Sequence, residues 1–78
     1  MKVLVTGVCG QLGHDVICEL GRRGYDAVGS DIQPEYTGVA GSSYIKDMTY
    51  ITLDITDPEA VAHVFREVKP DAIIHCAA

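Results

Sequence analysis

The sequence predicts an α/β fold in which helices cover both faces of a parallel β-sheet. Short apolar stretches of strand length alternate with two stretches whose apolar residues recur with the period of a helix. Glycine or proline residues stand between these stretches, as they do in turns. Strands that alternate with helices form parallel sheets through right-handed crossovers. We expect the strand order 3-2-1-4.

The first strand and the first helix lie near the amino terminus. The strand is predicted over residues 2–6, because the run from Val3 to Val5 is apolar throughout, as a buried parallel strand is. The helix is predicted over residues 11–23, and Gly24 is typical of the position just beyond a helix. The side of this helix that is expected to face the sheet carries Leu12, Gly13, Val16, Ile17 and Leu20.

A second strand, a long irregular segment and a third strand follow. The second strand is predicted over residues 26–30. Residues such as Pro34 and Gly38 interrupt any period within residues 32–49, so we predict a loop there. Loops of this length in a compact domain are often functional. The third strand is predicted over residues 50–53.

The second helix and the fourth strand complete the predicted elements. The helix is expected to begin after Asp57, because proline at the first helical position follows an aspartate that can cap it, and to end before Pro70. Its predicted apolar face carries Val61, Val64, Phe65 and Val68. The strand is predicted over residues 72–76 and is apolar enough to be buried on both faces, with His75 as a core histidine.

Composition restricts the class of protein and its partners. Seventy-eight residues suffice for one small domain, and the chain stops in an apolar stretch, so we expect the amino-terminal part of a longer protein. The formal net charge of −5 argues against nucleic acid or an anionic membrane as partner. No apolar run approaches the ~20 residues that span a bilayer. Three cysteines without framework spacing suggest a reducing cytoplasm.

The most informative motif places glycines three residues apart between the first strand and the first helix. Gly7 permits a sharp turn, Gly10 lets backbone N–H groups approach a phosphate, and Gly13 lets the helix pack against the sheet. The helix N-terminus offers unpaired donors and about half a positive charge, which suits a pyrophosphate. Asp31 ends the second strand, where an acid can bind ribose hydroxyls. The pattern predicts a Rossmann-like, dinucleotide-binding fold.

Two aspartates are candidates for recognition of the adenosine. A carboxylate at Asp31 binds the ribose hydroxyls of NAD and repels the 2′-phosphate of NADP, although an ordinary turn aspartate is the alternative. Asp54 follows the third strand and is placed to bond the adenine amino group, while Ile55 packs against the ring. Capping of a turn or a helix is the alternative for Asp54, although Asp57 is better placed for it.

The sequence contains no recognisable catalytic set. No tyrosine stands four residues before a lysine, and the three histidines lack metal-ligand spacing, so we expect no metal site. Cys9 lies within the glycine turn and Cys76 ends the strand expected beside the first. A redox role for this pair is conceivable, but small side chains that fill a crowded site are the preferred explanation.

The run from Thr6 to Gly13 matches, at every fixed position, the pattern Thr-Gly-x-x-Gly-x-Leu/Ile-Gly. The chain thereby resembles the extended short-chain dehydrogenase/reductase family, and its Gly-Gln-Leu-Gly run and residues 69–78 are most similar to the dTDP-4-dehydrorhamnose reductases within it. Residues 32–49 form a longer segment than in many such reductases. The resemblance implies cofactor contacts by Gly10, Gln11 and Leu12 to pyrophosphate, Asp31 to ribose, Asp54 and Ile55 to adenine, and Ala77 and Ala78 beside the nicotinamide half.

The resemblance also implies an activity for a longer parent protein. Such a reductase uses NAD(P)H to reduce the 4-keto group of a dTDP-linked 6-deoxy sugar, in the route to dTDP-L-rhamnose, with a tyrosine and a lysine located beyond Ala78. A nucleotide-sugar epimerase or dehydratase that retains NAD is the alternative within the family. A non-catalytic dinucleotide-binding module, and a chain that binds weakly and self-associates through an open sheet edge, are further alternatives. A homo-oligomer is a possible native state.

Overall fold

The computed structural model describes residues 1–34 and 49–76. Its elements are β1 (Lys2–Thr6), α1 (Gln11–Arg22), β2 (Asp26–Asp31), β3 (Thr49–Thr52), α2 (Pro58–Val68) and β4 (Ala72–His75). The strands and helices predicted from the sequence are all present, with boundaries that differ by about one residue. Most of the predicted loop at 32–49 lies outside the described residues, and Ile32 to Pro34 form bends. Neither helix in the described part is long and apolar enough to cross a membrane.

The four strands form one parallel sheet in the order β3-β2-β1-β4. This order confirms the prediction. The strand β1 lies between β2 and β4, so that Leu4 is in register with Val28 on one side and Ile73 on the other. Its residues Val3 to Thr6 are all buried, which explains why this segment is almost purely apolar.

The apolar core lies on both faces of the sheet, and one helix covers each face. The first cluster joins β1 and β2 to α2 and contains Leu4, Val28, Leu53, Val64 and Val68. The second cluster joins β1 to α1 and contains Val3, Val5, Val8 and Ile17. Full burial of one such side chain contributes about 1.5–3 kcal/mol. The predicted cover of helices on both faces is therefore confirmed.

Helix α1 faces the sheet along a line that differs from the predicted one. Its buried residues are Gly13, His14 and Ile17, whereas Leu12 is 64% exposed. The glycine sets this orientation, because a Cβ at Gly13 would lie 2.1 Å from the carbonyl oxygen of Gly7. Successive helical residues are rotated by about 100°, so Leu12 is turned towards solvent. The expectation that Leu12 faces the sheet was wrong.

The strand β4 and one residue of α2 are more exposed than predicted. Ile73 and Ile74 are 46% and 37% exposed, and His75 is exposed as well. The reason is that β4 pairs only with β1 and forms an edge of the described sheet. On α2, Phe65 is 41% exposed, while Val64 and Val68 carry the buried side. Burial of β4 on both faces, a core position for His75 and an inward-facing Phe65 were wrong expectations.

Replacement of Gly13 should destabilise the fold, while the same change at Gly10 should not. In Gly13→Ala the new methyl group meets backbone atoms of Gly7 and Val8 that cannot move aside cheaply. Overpacking of this kind costs about 1–3 kcal/mol, so we expect the melting temperature to fall by roughly 5 °C or more. Circular dichroism during heating measures this change.

Gly10→Ala is the matched control for that prediction. A Cβ at Gly10 would approach only the carbonyl oxygen of Gly7, at 3.5 Å, which is ordinary contact. The backbone at this position has φ −86°, which any residue adopts. We expect this variant to unfold within a few degrees of the wild type. Equal melting temperatures for the alanine variants at both positions would contradict the account of α1 packing.

Candidate functional site

A cavity of about 390 Å³ opens where the carboxyl ends of the four strands meet. Parallel α/β sheets bind ligands at this edge, next to the strand at which the order of the strands reverses. Here that strand is β1, with β2 on one side and β4 on the other. The lining comprises Thr6, Gly7 and Gly10 around the first turn, Ser30, Asp31 and Ile32 after β2, Leu53, Asp54, Ile55 and Thr56 after β3, and Cys76 after β4.

The turn between β1 and α1 is held from the side of β2. Gly7 and Val8 both donate their backbone N–H groups to the carbonyl oxygen of Ser30, at 2.8 and 3.2 Å. Cys9 donates its backbone N–H to Oδ2 of Asp31 at 2.9 Å. Gly7 has φ +75°, a conformation in which glycine is favoured. Three successive amides are thus satisfied within the protein.

The N-terminus of α1 lies just beyond that turn and has open donors. Gly10 occupies the N-cap position, has no side chain to cap the helix, and no acidic residue follows in the first turn. The backbone N–H groups of Gln11, Leu12 and Gly13 have no acceptor among the described residues. These donors, together with the positive end of the helix dipole, form an environment that favours an anion.

The N-terminus of α2 provides an internal comparison. There Oδ1 of Asp57 accepts hydrogen bonds from the backbone N–H groups of Glu59 and Ala60, at 3.1 and 3.3 Å. Glu59 adds a negative charge to the first turn. The cap confirms the start that the Asp-Pro pair predicts. Only α1, of the two helices described, presents its amino end without a side-chain cap.

Asp31 lies between the turn and the cavity. Its Oδ1 accepts from the backbone N–H of Ile32 at 2.7 Å, and its Oδ2 accepts from that of Cys9. Each carboxylate oxygen has two acceptor positions, so both retain capacity for a ligand hydroxyl. The structure therefore shows Asp31 in the contacts of an ordinary turn aspartate, which was the alternative explanation. These contacts are also compatible with hydrogen bonds from the ribose hydroxyls to the same carboxylate.

Asp54 and Ile55 line the opposite part of the cavity. Oδ1 of Asp54 accepts from the backbone N–H and the hydroxyl of Thr56, at 2.9 and 2.6 Å. These hydrogen bonds hold the pKa of the Asp54 carboxyl below its usual value. The described residues offer no donor to Oδ2, and Ile55 is 38% exposed. Asp54 thus caps its own turn with one oxygen and presents the other.

Tyr50 supports the turn and was not found by sequence reasoning. Its hydroxyl donates to the carbonyl oxygen of Gln33, lies 3.4 Å from that of Asp31, and lies 3.9 Å from Sγ of Cys9. Burial raises the pKa of the Tyr50 phenol, and the contact with Cys9 and the charge of Asp31 raise it further. No motif signals this contact, because it depends on how β3 pairs with β2.

Thr6 joins the end of β1 to the end of β4 at the cavity wall. Its Oγ1 lies 2.7 Å from Nδ1 of His75, and Cys76 donates its backbone N–H to the same oxygen at 3.2 Å. His75, expected in the core, is therefore an exposed residue with a polar partner. Cys76 lines the cavity while Cys9 contacts Tyr50, and no disulfide forms. The described residues include no group of three metal-ligating side chains.

The structure brings together much of the site that the sequence suggests. Of the residues assigned to the dinucleotide-binding motif or to cofactor contact, Gly7, Gly10, Asp31, Asp54 and Ile55 line the cavity. Gln11, Leu12 and Gly13 lie beside it in the first turn of α1, and their backbone amides are the groups available there. Ala77 and Ala78 lie outside the described residues. The lining residues for which the sequence predicted no cofactor contact are Thr6, Ser30, Ile32, Leu53, Thr56 and Cys76.

Comparison with known proteins assigns the chain to a family. The family described as "RmlD substrate binding domain" matches residues 1–78, and the chain belongs to this family. UDP-glucose 4-epimerase of Bacillus subtilis is 36% identical over 81 residues, a match that covers 99% of this chain and 24% of the epimerase. dTDP-glucose 4,6-dehydratase 1 of Escherichia coli is 33% identical over 82 residues, which cover 100% of this chain and 23% of the dehydratase.

A solved structure confirms the fold. UDP-glucose 4-epimerase of Thermus thermophilus, crystallised in complex with NAD, superposes with a TM-score of 0.81 and 33% identity, covering 100% of this chain and 24% of the epimerase. The chain thus spans about a quarter of the length of the relatives it matches. The expected relationship to nucleotide-sugar enzymes is confirmed, and the relatives named here are epimerases and a dehydratase rather than a dTDP-4-dehydrorhamnose reductase.

Tyr50→Phe should reduce the loss of unfolding free energy at alkaline pH. In the unfolded chain the phenol ionises near its ordinary pKa of about 10, whereas the folded protein holds it neutral to higher pH. The raised folded pKa stabilises the fold fully below pH 10, and this contribution is lost as pH rises towards the folded pKa. The wild type should therefore lose unfolding free energy above pH 10 through ionisation of this residue in the unfolded chain.

Urea unfolding at pH 9 and pH 11 measures that loss. Tyr50→Phe should lose less stability between the two values than the wild type does. Tyr25→Phe is the matched control, because Tyr25 is 42% exposed and lies away from the turn, and it should retain the wild-type loss. If Tyr50→Phe loses as much as the wild type, the phenol does not have the environment described here.

Proposed function

We propose that residues 1–78 bind the ADP portion of NAD as the cofactor-binding part of an enzyme that acts on nucleotide sugars. The observation that carries this proposal is the uncapped N-terminus of α1, which lies beside Asp31 at one cavity. The open N–H donors of α1 suit a pyrophosphate, and the carboxylate of Asp31 suits the hydroxyls of a ribose. The presence of NAD in the Thermus thermophilus relative supports the choice of cofactor.

The pyrophosphate would bind to the amides of α1. Gln11, Leu12 and Gly13 offer backbone donors that have no partner in the described part of the chain. Gly10 carries no Cβ beside these donors, although neither its φ nor its contacts require glycine. Absence of a side chain there is explained if a ligand approaches the backbone closely. A hydrogen bond to a charged group contributes about 1.5–3 kcal/mol, so even two of them matter for affinity.

The adenosine would lie across the carboxyl ends of β2 and β3. Asp31 has acceptor capacity for the two ribose hydroxyls, and Oδ2 of Asp54 is available for the adenine amino group. Ile55 offers an apolar surface for the ring. Following the family resemblance, Ala77 and Ala78 would border the nicotinamide half.

Asp31→Ala should weaken binding of NADH more than binding of NADPH. The carboxylate accepts hydrogen bonds from the hydroxyls of NADH but repels the additional phosphate of NADPH. Its removal therefore costs NADH affinity, by about tenfold or more for a charged hydrogen bond, while NADPH loses an unfavourable interaction as well. Fluorescence titration with the two reduced cofactors measures both dissociation constants. An equal loss for both would exclude Asp31 as the selectivity residue.

The class of enzyme is proposed on two opposing observations. The relatives named above favour an epimerase or dehydratase. We expect an enzyme of this class to keep NAD bound through its cycle. The Gly-Gln-Leu-Gly run, with Gln11, favours a reductase of the dTDP-4-dehydrorhamnose type, which uses NAD(P)H. We give the epimerase or dehydratase precedence, since the relatives match nearly the whole chain and the reductase assignment depends chiefly on one glutamine.

Cofactor content of the purified parent protein distinguishes these classes. An epimerase or dehydratase should copurify with close to one NAD per chain and retain it through gel filtration. A reductase should lose its cofactor in the same step and oxidise added NADH when a 4-keto nucleotide sugar is supplied. Loss of NAD together with such oxidation would reverse the order of the two proposals. Binding of NAD without either activity would favour a non-catalytic module.

Compartment and assembly remain proposals of the same kind. The reducing cytoplasm is proposed because the three cysteines lack the spacing of a disulfide framework. The exposed isoleucines of β4 and its position at the edge of the described sheet support self-association of the 78-residue chain. A homo-oligomer of the parent protein is a separate proposal.

A further inference from the structure

We propose that Asp31 is also a positioning residue for the phosphate-binding turn, so that it couples the ribose and pyrophosphate portions of the site. This inference rests on the proposed function. In that function Asp31 acts on the ribose alone. Here its carboxylate additionally holds the backbone from which α1 begins, through the hydrogen bond between Oδ2 and the backbone N–H of Cys9.

The turn is fixed to β2 by three successive amides. Gly7 and Val8 donate to the backbone carbonyl oxygen of Ser30, and that contact does not depend on any side chain. The third amide, that of Cys9, reaches a side-chain oxygen of Asp31 instead. This third bond is the one nearest α1, because Cys9 directly precedes the N-cap residue Gly10. Loss of the carboxylate would release the turn where it meets the open donors.

The backbone of Asp31 cannot replace its side chain in this role. Its carbonyl oxygen accepts the backbone N–H of Leu53 at 2.8 Å, and the hydroxyl of Tyr50 lies 3.4 Å from it. The carbonyl oxygen of Asp31 is therefore occupied by residues in β3 or directly after it. The other carboxylate oxygen accepts the N–H of Ile32. One residue therefore connects the β3 side of the cavity, where the adenine would lie, to the turn that precedes the pyrophosphate donors.

A nucleotide without ribose hydroxyls separates the two roles of Asp31. ADP can donate its 2′- and 3′-hydroxyls to the carboxylate, whereas 2′,3′-dideoxy-ADP cannot. If Asp31 acted only on the hydroxyls, Asp31→Ala would bind dideoxy-ADP as tightly as the wild type, or more tightly because a negative charge is removed near the phosphates. If Asp31 positions the turn, the variant should bind dideoxy-ADP more weakly, by about fivefold to tenfold.

Calorimetric or NMR titration of the 78-residue chain and its Asp31→Ala variant with both nucleotides provides the measurement. The expected result is a loss for both nucleotides, larger for ADP. Unchanged or improved affinity of the variant for dideoxy-ADP would overturn the inference while the proposed function stands. Failure of the wild type to bind either nucleotide would count against the proposed function itself.

Amide hydrogen exchange tests the positioning contact without any variant. In the ligand-free wild type the N–H of Cys9 should exchange more slowly than the N–H of Gln11, because only the former has an acceptor. In Asp31→Ala the Cys9 amide should lose this protection, while Val8, held by the carbonyl of Ser30, should keep it. Equal exchange of Cys9 and Gln11 in the wild type would overturn the inference even if the variant failed to fold.

Discussion

The close contact between Gly13 and the turn after β1 determines the rest of the site. A Cβ at this position would lie 2.1 Å from the carbonyl oxygen of Gly7 and 2.8 Å from Cα of Val8, so only glycine allows α1 to approach so near. The approach fixes which side of α1 is buried. It also places the uncapped N-terminus of the helix at the carboxyl edge of the sheet, where the cavity lies. Fold and site thus depend on the same absent side chain.

Gly10 at the N-cap of α1 and Gly13 in its first turn have different roles. Gly13 satisfies a constraint inside the protein, whereas Gly10 meets no neighbour closely enough to require glycine. A site that binds phosphate through backbone amides needs both conditions, a helix that packs tightly and an approach that no side chain obstructs. The end of β2 supplies the remaining support, since Ser30 and Asp31 hold the turn through their carbonyl and carboxylate oxygens. The same Asp31 lines the cavity, so the residue that supports the turn is also the one that we propose for recognition of the ribose.

Local patterns predicted the elements well, and tertiary contacts explain where they failed. The Asp57-Pro58 pair and the glycine turn indicate helix starts directly, because capping and turn geometry depend on neighbouring residues. Leu12 was predicted to face the sheet from its spacing alone. Spacing does not show how closely Gly13 lets α1 approach the turn after β1, and that approach decides which side of the helix is buried. Exposure of β4 follows from its place at the edge of the described sheet, which periodicity does not report. The role of Tyr50 depends on strand pairing and has no local signal.

Titration of the ¹⁵N-labelled chain with NAD, observed by NMR, tests the central claim most directly. The amide resonances of Gln11, Leu12 and Gly13 should shift most, because these donors would bind the pyrophosphate. The capped amides of Glu59 and Ala60 in α2 should stay unchanged and provide the control within the same spectrum. Shifts of similar size at both helix N-termini, or shifts that leave the first turn of α1 unaffected, would contradict the account.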